Sequence, residues 1–466
     1  MAMRKTKSRS REGRLRLWTG GWLKHRQASP ASPPEQPVAA SAERTPPLRA
    51  VAPGQHDVAR DELKQQIATS VIAFRGYDVS NLGRSPELLA HPVYGRVVRE
   101  MLDRASRVCA DVLKKDVDLA ARVEGREAAA LDTFVEDTAT IVAMELAQIR
   151  LLEEVLEVPV RDAMLSFGHS IGELSALVLG GVYEMEQLLP IPLSLAHDCA
   201  DLTADTTMGI LSSPSGSLEP ERVQRLCSAI SSRGHGLVGP STYLSPYQVL
   251  LLGQADTLDL LEAEMREYLP AAVTLRRRPN HWPPLHTPLV WERSVPNRAA
   301  VALYHTGGGN QRPRPNVVSC TTGRPSYDEW NSREILTDWT DHPQRLWDAI
   351  EHTLASGADL VIHVGPEPKL IPTAFERLSG KVMKQLKSRH LDSLGRRVLP
   401  SISRNHWLAR RLPHNAVVIR APFVNHLILE DWLLAQEWPE VSVTIGGQPV
   451  PVLESTAHNT GQVVSP

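Results

Sequence analysis

In Phe167-Gly168-His169-Ser170-Ile171-Gly172-Glu173, residue types and spacing combine to offer chemistry. Its core, G-x-S-x-G, is the pattern of a serine nucleophile held on a sharp turn between a strand and a helix. The two glycines let the backbone turn tightly and let the helix approach the strand. Ser170 then stands at a helix N-terminus, where free backbone N–H groups stabilise an oxyanion. The same spacing also serves as a glycine-rich packing turn. A serine hydroxyl needs a base to take its proton. By context the best-placed one is His286, held between prolines in Pro283-Pro284-Leu285-His286-Thr287-Pro288-Leu289, although a lone histidine in such a loop also serves structure.

The flanking elements fit this reading. Ala163 to Phe167 is an apolar run of strand length, and Leu174, Leu177 and Val178 recur at helical spacing up to Gly180-Gly181. Upstream, Ser70 to Phe74 reads as a strand entering a loop at Arg75-Gly76. Asp132 to Glu154 reads as a long amphipathic helix with Ile141, Met144, Ile149 and Leu152 among its apolar positions. Strands resume near Asn316–Ser319 and Asp359–Val364. Alternation of this kind predicts an α/β fold: a hydrolase-like parallel sheet carrying the nucleophile elbow. Between its halves, residues 203–277 read as strand, helix, strand, helix, strand, the order of a small inserted ferredoxin-like subdomain. The large subdomain is then assigned to 66–202 and 278–390. A basic, Pro-rich tail is expected at 1–60, a C-terminal extension at 391–440 and a loose tail at 441–466.

Composition sets bounds. The 466 residues are 42% hydrophobic and 22% charged with a net charge of −2, so no global field favours nucleic acid or a membrane surface. None of the 17 histidines sits in a metal-ligand spacing, so no metal is expected. Cys109, Cys199, Cys227 and Cys320 are scattered and read as reduced packing thiols. No apolar run approaches the roughly 18 residues of a membrane span. Residues 1 to 26 carry nine Lys/Arg against one acid, Glu12, in the manner of a solvated basic tail or an organelle transit peptide. A cytoplasmic location is expected, organelle import being the alternative.

Four ordered blocks resemble the malonyl-CoA:acyl-carrier-protein transacylase family, over residues ~70 to 378. Its G-H-S-x-G-E is complete at Gly168 to Glu173. Its N-S-P-x-Q-V block looks like Leu244-Ser245-Pro246-Tyr247-Gln248-Val249, its histidine block like Leu285 to Val290, and its V-G-P-G-x-x-L like Val364 to Leu370. The resemblance implies a ping-pong acyl transfer with Ser170 as nucleophile and His286 as general base. The backbone N–H groups of Ile171 and Tyr77 would form the oxyanion hole. Gln248 and the positions of Leu195 and Leu244 would face substrate. No cofactor would be bound: the CoA thioester is substrate, and phosphopantetheine belongs to the partner, an acyl carrier protein. The implied orienter of the histidine is a backbone carbonyl, by position near Trp339. A monomer is expected.

The departures concern the acyl pocket. Tyr77 replaces the glutamine of the family's G-Q-G-S-Q loop, and Leu244 replaces the asparagine of N-S-P. The malonyl-binding arginine's place falls on Leu195, behind Pro190 and Pro192, which disturb the helix there. An apolar side chain cannot pair a buried carboxylate. Three readings follow: an acyl-CoA:carrier-protein transacylase, with malonyl-CoA the family default; an acyl hydrolase acting on acyl carrier protein; and a non-catalytic assembly member. An unrelated esterase would need a carboxylate such as Asp256 or Glu262. Arg276-Arg277-Arg278, ahead of the histidine loop, offers charge to phosphates or to an acidic partner face.

Overall fold

The computed structural model describes residues 59–214, 216–278, 281–388, 414–438, 441–445 and 448–452. Nearly all of the expected N-terminal tail and much of the 391–440 segment lie outside them. In chain order the strands of the two larger sheets are β1 (Ser70–Phe74), β2 (Leu165–Gly168), β3 (Thr206–Ser212), β4 (Val238–Ser245), β5 (Gln248–Gln254), β6 (Thr274–Arg278), β7 (Val317–Ser319), β8 (Arg324–Pro325), β9 (Leu360–Val364) and β10 (Asn425–Ile428).

Six of these strands form one sheet in the order β10-β9-β1-β2-β7-β8. Pairing is parallel from β10 to β7, and β8 alone runs antiparallel. Every residue of β1 and of β9 is buried. That is why Val71–Phe74 and Leu360–Ile362 are unbroken apolar runs: the central strands of a parallel sheet are covered on both faces. In register, Phe74 sits opposite Gly168, so the loops after β1 and β2 leave the same carboxyl end of the sheet side by side.

The helix Phe134–Arg150 departs from the expected amphipathic pattern. Every residue from Phe134 to Ile149 is buried. Its polar positions face partners instead of solvent: Glu136 meets Lys115 Nζ at 2.7 Å, Asp137 meets Arg122 at 3.0 Å, and Glu145 accepts from Ser175. Near the elbow, Pro190 and Pro192 do not disturb a helix. They lie in the first turn of the helix Pro190–Asp201, where a missing N–H leaves no bond unmade.

A separate antiparallel sheet follows the order β4-β5-β3-β6. The helices Pro220–Ser231 and Thr257–Tyr268 cover one of its faces around Leu211, Val223, Leu251 and Leu261. Strand β4 was not expected. Gly239-Pro240-Ser241 breaks any period-two pattern, and the β4–β5 register shifts at Pro240/Thr242 and Tyr243/Ser245. This irregular strand joins the two sheets' units: Tyr243 N–H donates to the Gln344 carbonyl and Gln344 N–H to the Ser241 carbonyl, both at 2.8 Å.

Toward the C-terminus, β10 adds a parallel edge strand beside β9. The Arg420 guanidinium fastens the preceding turn by donating to the carbonyls of Leu354 (2.6 Å) and Ala358 (3.0 Å). Within the expected loose tail, Val441–Ile445 and Gln448–Val452 pair as an antiparallel hairpin. The Gly446-Gly447 dipeptide between alternating Val441, Val443 and Ile445 is the signal for it.

Candidate active site

Strand β2 ends at Gly168 and the helix Gly172–Leu179 begins four residues later. Between them Ser170 has φ +56°, a left-handed conformation rare for a side-chain-bearing residue. The crossing is tight. A Cβ on Gly168 would strike the backbone of Gly172, and one on Gly172 would strike the carbonyls of Phe74 and Arg75. Glycine at both places is therefore what lets the helix start against the end of β1.

Ser170 Oγ lies 2.7 Å from His286 Nε2. His286 is itself at φ +65° and donates its backbone N–H to the Thr340 carbonyl at 2.8 Å. Its Nδ1 lies 2.6 Å from the Trp339 carbonyl, which can only accept. Nδ1 therefore carries the proton, leaving Nε2 as a bare acceptor aimed at the serine. Burial pushes the His286 pKa down to about 4, against a smaller upward pull from the Trp339 carbonyl, so the ring is neutral at neutral pH.

Residues 339–344 hold the serine as well. The Trp339 indole Nε1 donates to the Ser170 carbonyl at 3.1 Å, and Gln344 Oε1 accepts the Ser170 N–H at 3.1 Å. Gln344 Nε2 also lies 3.3 Å from His286 Nδ1. Behind the turn, Glu173 is fully buried. It accepts from Tyr327 Oη at 2.8 Å and from Cys320 N–H at 3.1 Å, and burial raises its pKa to about 7. His169 is half-buried, with Nε2 3.3 Å from Thr242 Oγ1.

A cavity of about 580 Å³ opens over Ser170 and His286. Tyr77, Ile171 and Leu244 line it. Among the described residues, the N–H groups of Tyr77 and Ile171 have no protein acceptor. The Tyr77 ring packs edge-on against Phe134 (4.7 Å) and Trp282 (5.5 Å). Gln248 is not in this cavity. It opens β5, reaches Ser212 Oγ at 3.4 Å, and lines a second cavity of about 590 Å³ alongside. Leu195 lines neither: it is 2% exposed and packs in the main apolar core. Counting along the chain finds its helix but not its direction, because a helical side chain's facing changes by about 100° per residue.

Neither carboxylate weighed for an esterase reaches His286. Glu262 pairs with Arg277 at 3.1 Å on the outer face of the small sheet, and Asp256 lies 3.8 Å from His235. Of the three arginines in β6, Arg277 is thus paired, while Arg276 and Arg278 line the second cavity. Sequence reasoning missed Gln344 and the Trp339 indole, for which no motif exists, and Arg75, read only as the entry to a loop. The Arg75 guanidinium is 4% exposed and lines the active cavity. No cluster of three or more metal-binding side chains occurs among the described residues, and no helix there is long and apolar enough to cross a membrane.

No family model and no curated protein matches the sequence. Solved structures do. An acyl carrier protein S-malonyltransferase from Vibrio cholerae superposes with TM-score 0.53 at 20% identity, covering 66% of this chain and 93% of that one. The malonyl CoA-acyl carrier protein transacylase of Coxiella burnetii gives TM-score 0.53 at 19% identity, over 67% and 91%. A type II polyketide malonyl-transacylase in complex with its acyl-carrier protein gives 0.51 at 21%, over 66% and 92%. The fold is that of the malonyl-CoA:acyl-carrier-protein transacylases. The transacylase fold accounts for about two-thirds of this chain and nearly the whole of those proteins.

Proposed function

We propose that this protein is an acyltransferase that moves an acyl group from a CoA thioester to the phosphopantetheine thiol of an acyl carrier protein. The observation that carries the reading is the 2.7 Å contact of Ser170 Oγ with an Nε2 kept bare by the Trp339 carbonyl. We read the turn as a nucleophile elbow and the antiparallel unit over it as a ferredoxin-like subdomain.

In the first half-reaction His286 Nε2 takes the Ser170 proton as Oγ attacks the thioester carbonyl. The N–H groups of Ile171 and Tyr77, which line the cavity without a protein acceptor among the described residues, receive the developing oxyanion. Collapse breaks the C–S bond, and His286 returns its proton to the CoA thiolate. In the second half-reaction the carrier thiol gives its proton to Nε2 and attacks the acyl-serine ester. Collapse releases Ser170, which recovers the proton. No metal or bound cofactor enters either step. Arg276, Arg278, Arg377, Lys381 and Lys384, around the second cavity, supply positive charge to the phosphate-bearing end of CoA or to the acidic face of a carrier.

The test is to mix the protein with acyl-CoA and holo carrier protein and weigh the carrier. A carrier heavier by one acyl group, dependent on Ser170, is expected. Free fatty acid with an unmodified carrier would instead identify an acyl hydrolase.

A further inference from the structure

We infer that the acyl group accepted by Ser170 is an uncharged chain longer than three carbons, not a short acyl group ending in a carboxylate. This rests on the acyl-transfer reading above. Strand β3 alternates in the way that decides the cavity's character. Leu211 points to the covering helices and is fully buried, whereas Met208 and Ile210 are only half-buried and face the space over Ser170. Leu250 of β5 and Leu244 of β4 are half-buried and line the same cavity, so one wall is an apolar ledge. Phe134, Tyr77 and Trp282, packed on one another through Tyr77, add aromatic rings to the lining.

Among the described residues, no buried cation is free to receive a carboxylate beside Ser170. Among the described residues Arg75 is the one buried cation lining the cavity, and all three of its nitrogens are engaged: Nε with the Gly76 carbonyl (2.8 Å), Nη1 with the Pro366 carbonyl, Nη2 with Asn81 Oδ1 (2.9 Å) and the Ser80 carbonyl (3.1 Å). Lys369 is turned to Glu367 Oε1 (2.7 Å) and Ser80 Oγ (3.1 Å). Arg278 is exposed and stands where the first cavity meets the second. Asp78 adds negative charge to the same lining. A carboxylate brought beside Ser170 would lose its water and find Arg75 already committed, with Arg278 only at the exposed end, which the remaining contacts cannot offset.

Size agrees. A dry apolar cavity of about 150 Å³ already holds benzene, and this one measures about 580 Å³. The second cavity shares Ile210, Leu244, Arg278 and Leu370 with it. The two form a trough with an apolar end for the acyl chain and a basic end for phosphate.

The experiment compares malonyl-, acetyl-, butyryl- and octanoyl-CoA as donors to the full chain, following the Ser170 adduct by intact mass and carrier acylation by rate. Expected are a kcat/KM for octanoyl-CoA at least 100-fold that for malonyl-CoA and a rise of up to about fourfold per methylene from acetyl. Met208→Trp, which fills the ledge, is expected to lower the octanoyl-to-acetyl ratio about tenfold. Malonyl-CoA matching or exceeding octanoyl-CoA, or a Met208→Trp ratio equal to wild type, overturns the inference. An octanoyl adduct never passed to a carrier upholds the acyl class and removes the transfer reading. A malonyl adduct passed efficiently does the reverse. Labelling of Ser170 by a fluorophosphonate with no adduct from any thioester overturns both.

Discussion

Trp339 holds Ser170 by its indole: Nε1 donates to the serine's own carbonyl at 3.1 Å. The same residue's carbonyl holds His286 Nδ1 at 2.6 Å, so one residue fixes both members of the pair. The two roles are separable, because substitution removes the indole and leaves the carbonyl. Trp339→Phe is expected to keep the histidine tautomer, to cost about 1–2 kcal/mol for the lost bond and the space left behind, and to slow fluorophosphonate labelling of Ser170 about tenfold. Thermal melts beside labelling rates check both numbers. Labelling equal to wild type would mean that the positive-φ serine needs no clamp.

Gln344 clamps the other side of the serine, accepting its N–H at 3.1 Å with Nε2 3.3 Å from the imidazole. Gln344→Glu keeps the acceptor and adds a negative charge beside His286. An adjacent carboxylate favours imidazolium and raises the histidine pKa. The acid limb of the labelling profile is therefore expected to move up by one pH unit or more, with the plateau rate changed less than about threefold. An unmoved limb would show that Gln344 does not face the ring in solution.

His286 itself predicts an unusual acid limb. Its folded pKa is pushed down to about 4, so the base stays unprotonated to well below the ordinary histidine range. Labelling of Ser170 should be flat from pH 8 down to about pH 5 and fall tenfold per unit below pH 4. For stability the sign runs the same way: the unfolded histidine protonates first, so folding stability is lost as pH falls from about 6.5 toward 4. Circular dichroism at each pH separates the two effects. A labelling midpoint near 6.5 would place His286 in water.

Glu173 is the buried acid behind the turn, with its pKa raised to about 7 by burial. A raised carboxyl contributes stability that is full below about pH 4.5 and lost as pH rises through about 7. The melting temperature of wild type should therefore fall from pH 5 to 8 more steeply than that of Glu173→Gln, which cannot titrate. Glu173→Ala removes the carboxyl acceptor of Tyr327 Oη and Cys320 N–H in the interior and is expected to cost about 2–3 kcal/mol.

The parts legible in the sequence were those with local signatures. Val71-Ile72-Ala73-Phe74 announces a covered strand, and Gly168 and Gly172 announce a turn that admits no Cβ. Strand β4 stayed hidden because Gly239-Pro240 sits at a bulge, where pairing does not follow the side-chain period. The buried Glu136, Asp137 and Glu145 imitate a solvent face, since only tertiary contacts reveal their partners. Gln344 had no signature at all. It meets Ser170 across 174 residues through a loop tied to β4 by two backbone bonds. Leu195 shows the converse: counting along the chain puts it in the pocket, but the side chain lies in the core.

The account stands or falls on whether Ser170 carries the acyl group. Intact-protein mass spectrometry of wild type and Ser170→Ala after mixing with octanoyl-CoA, followed by holo carrier protein, measures this directly. The account predicts one added acyl mass on wild type, its disappearance as the carrier gains the same mass, and no adduct on Ser170→Ala. An equal adduct on Ser170→Ala, or acyl transfer to the carrier at the wild-type rate without Ser170, would contradict it.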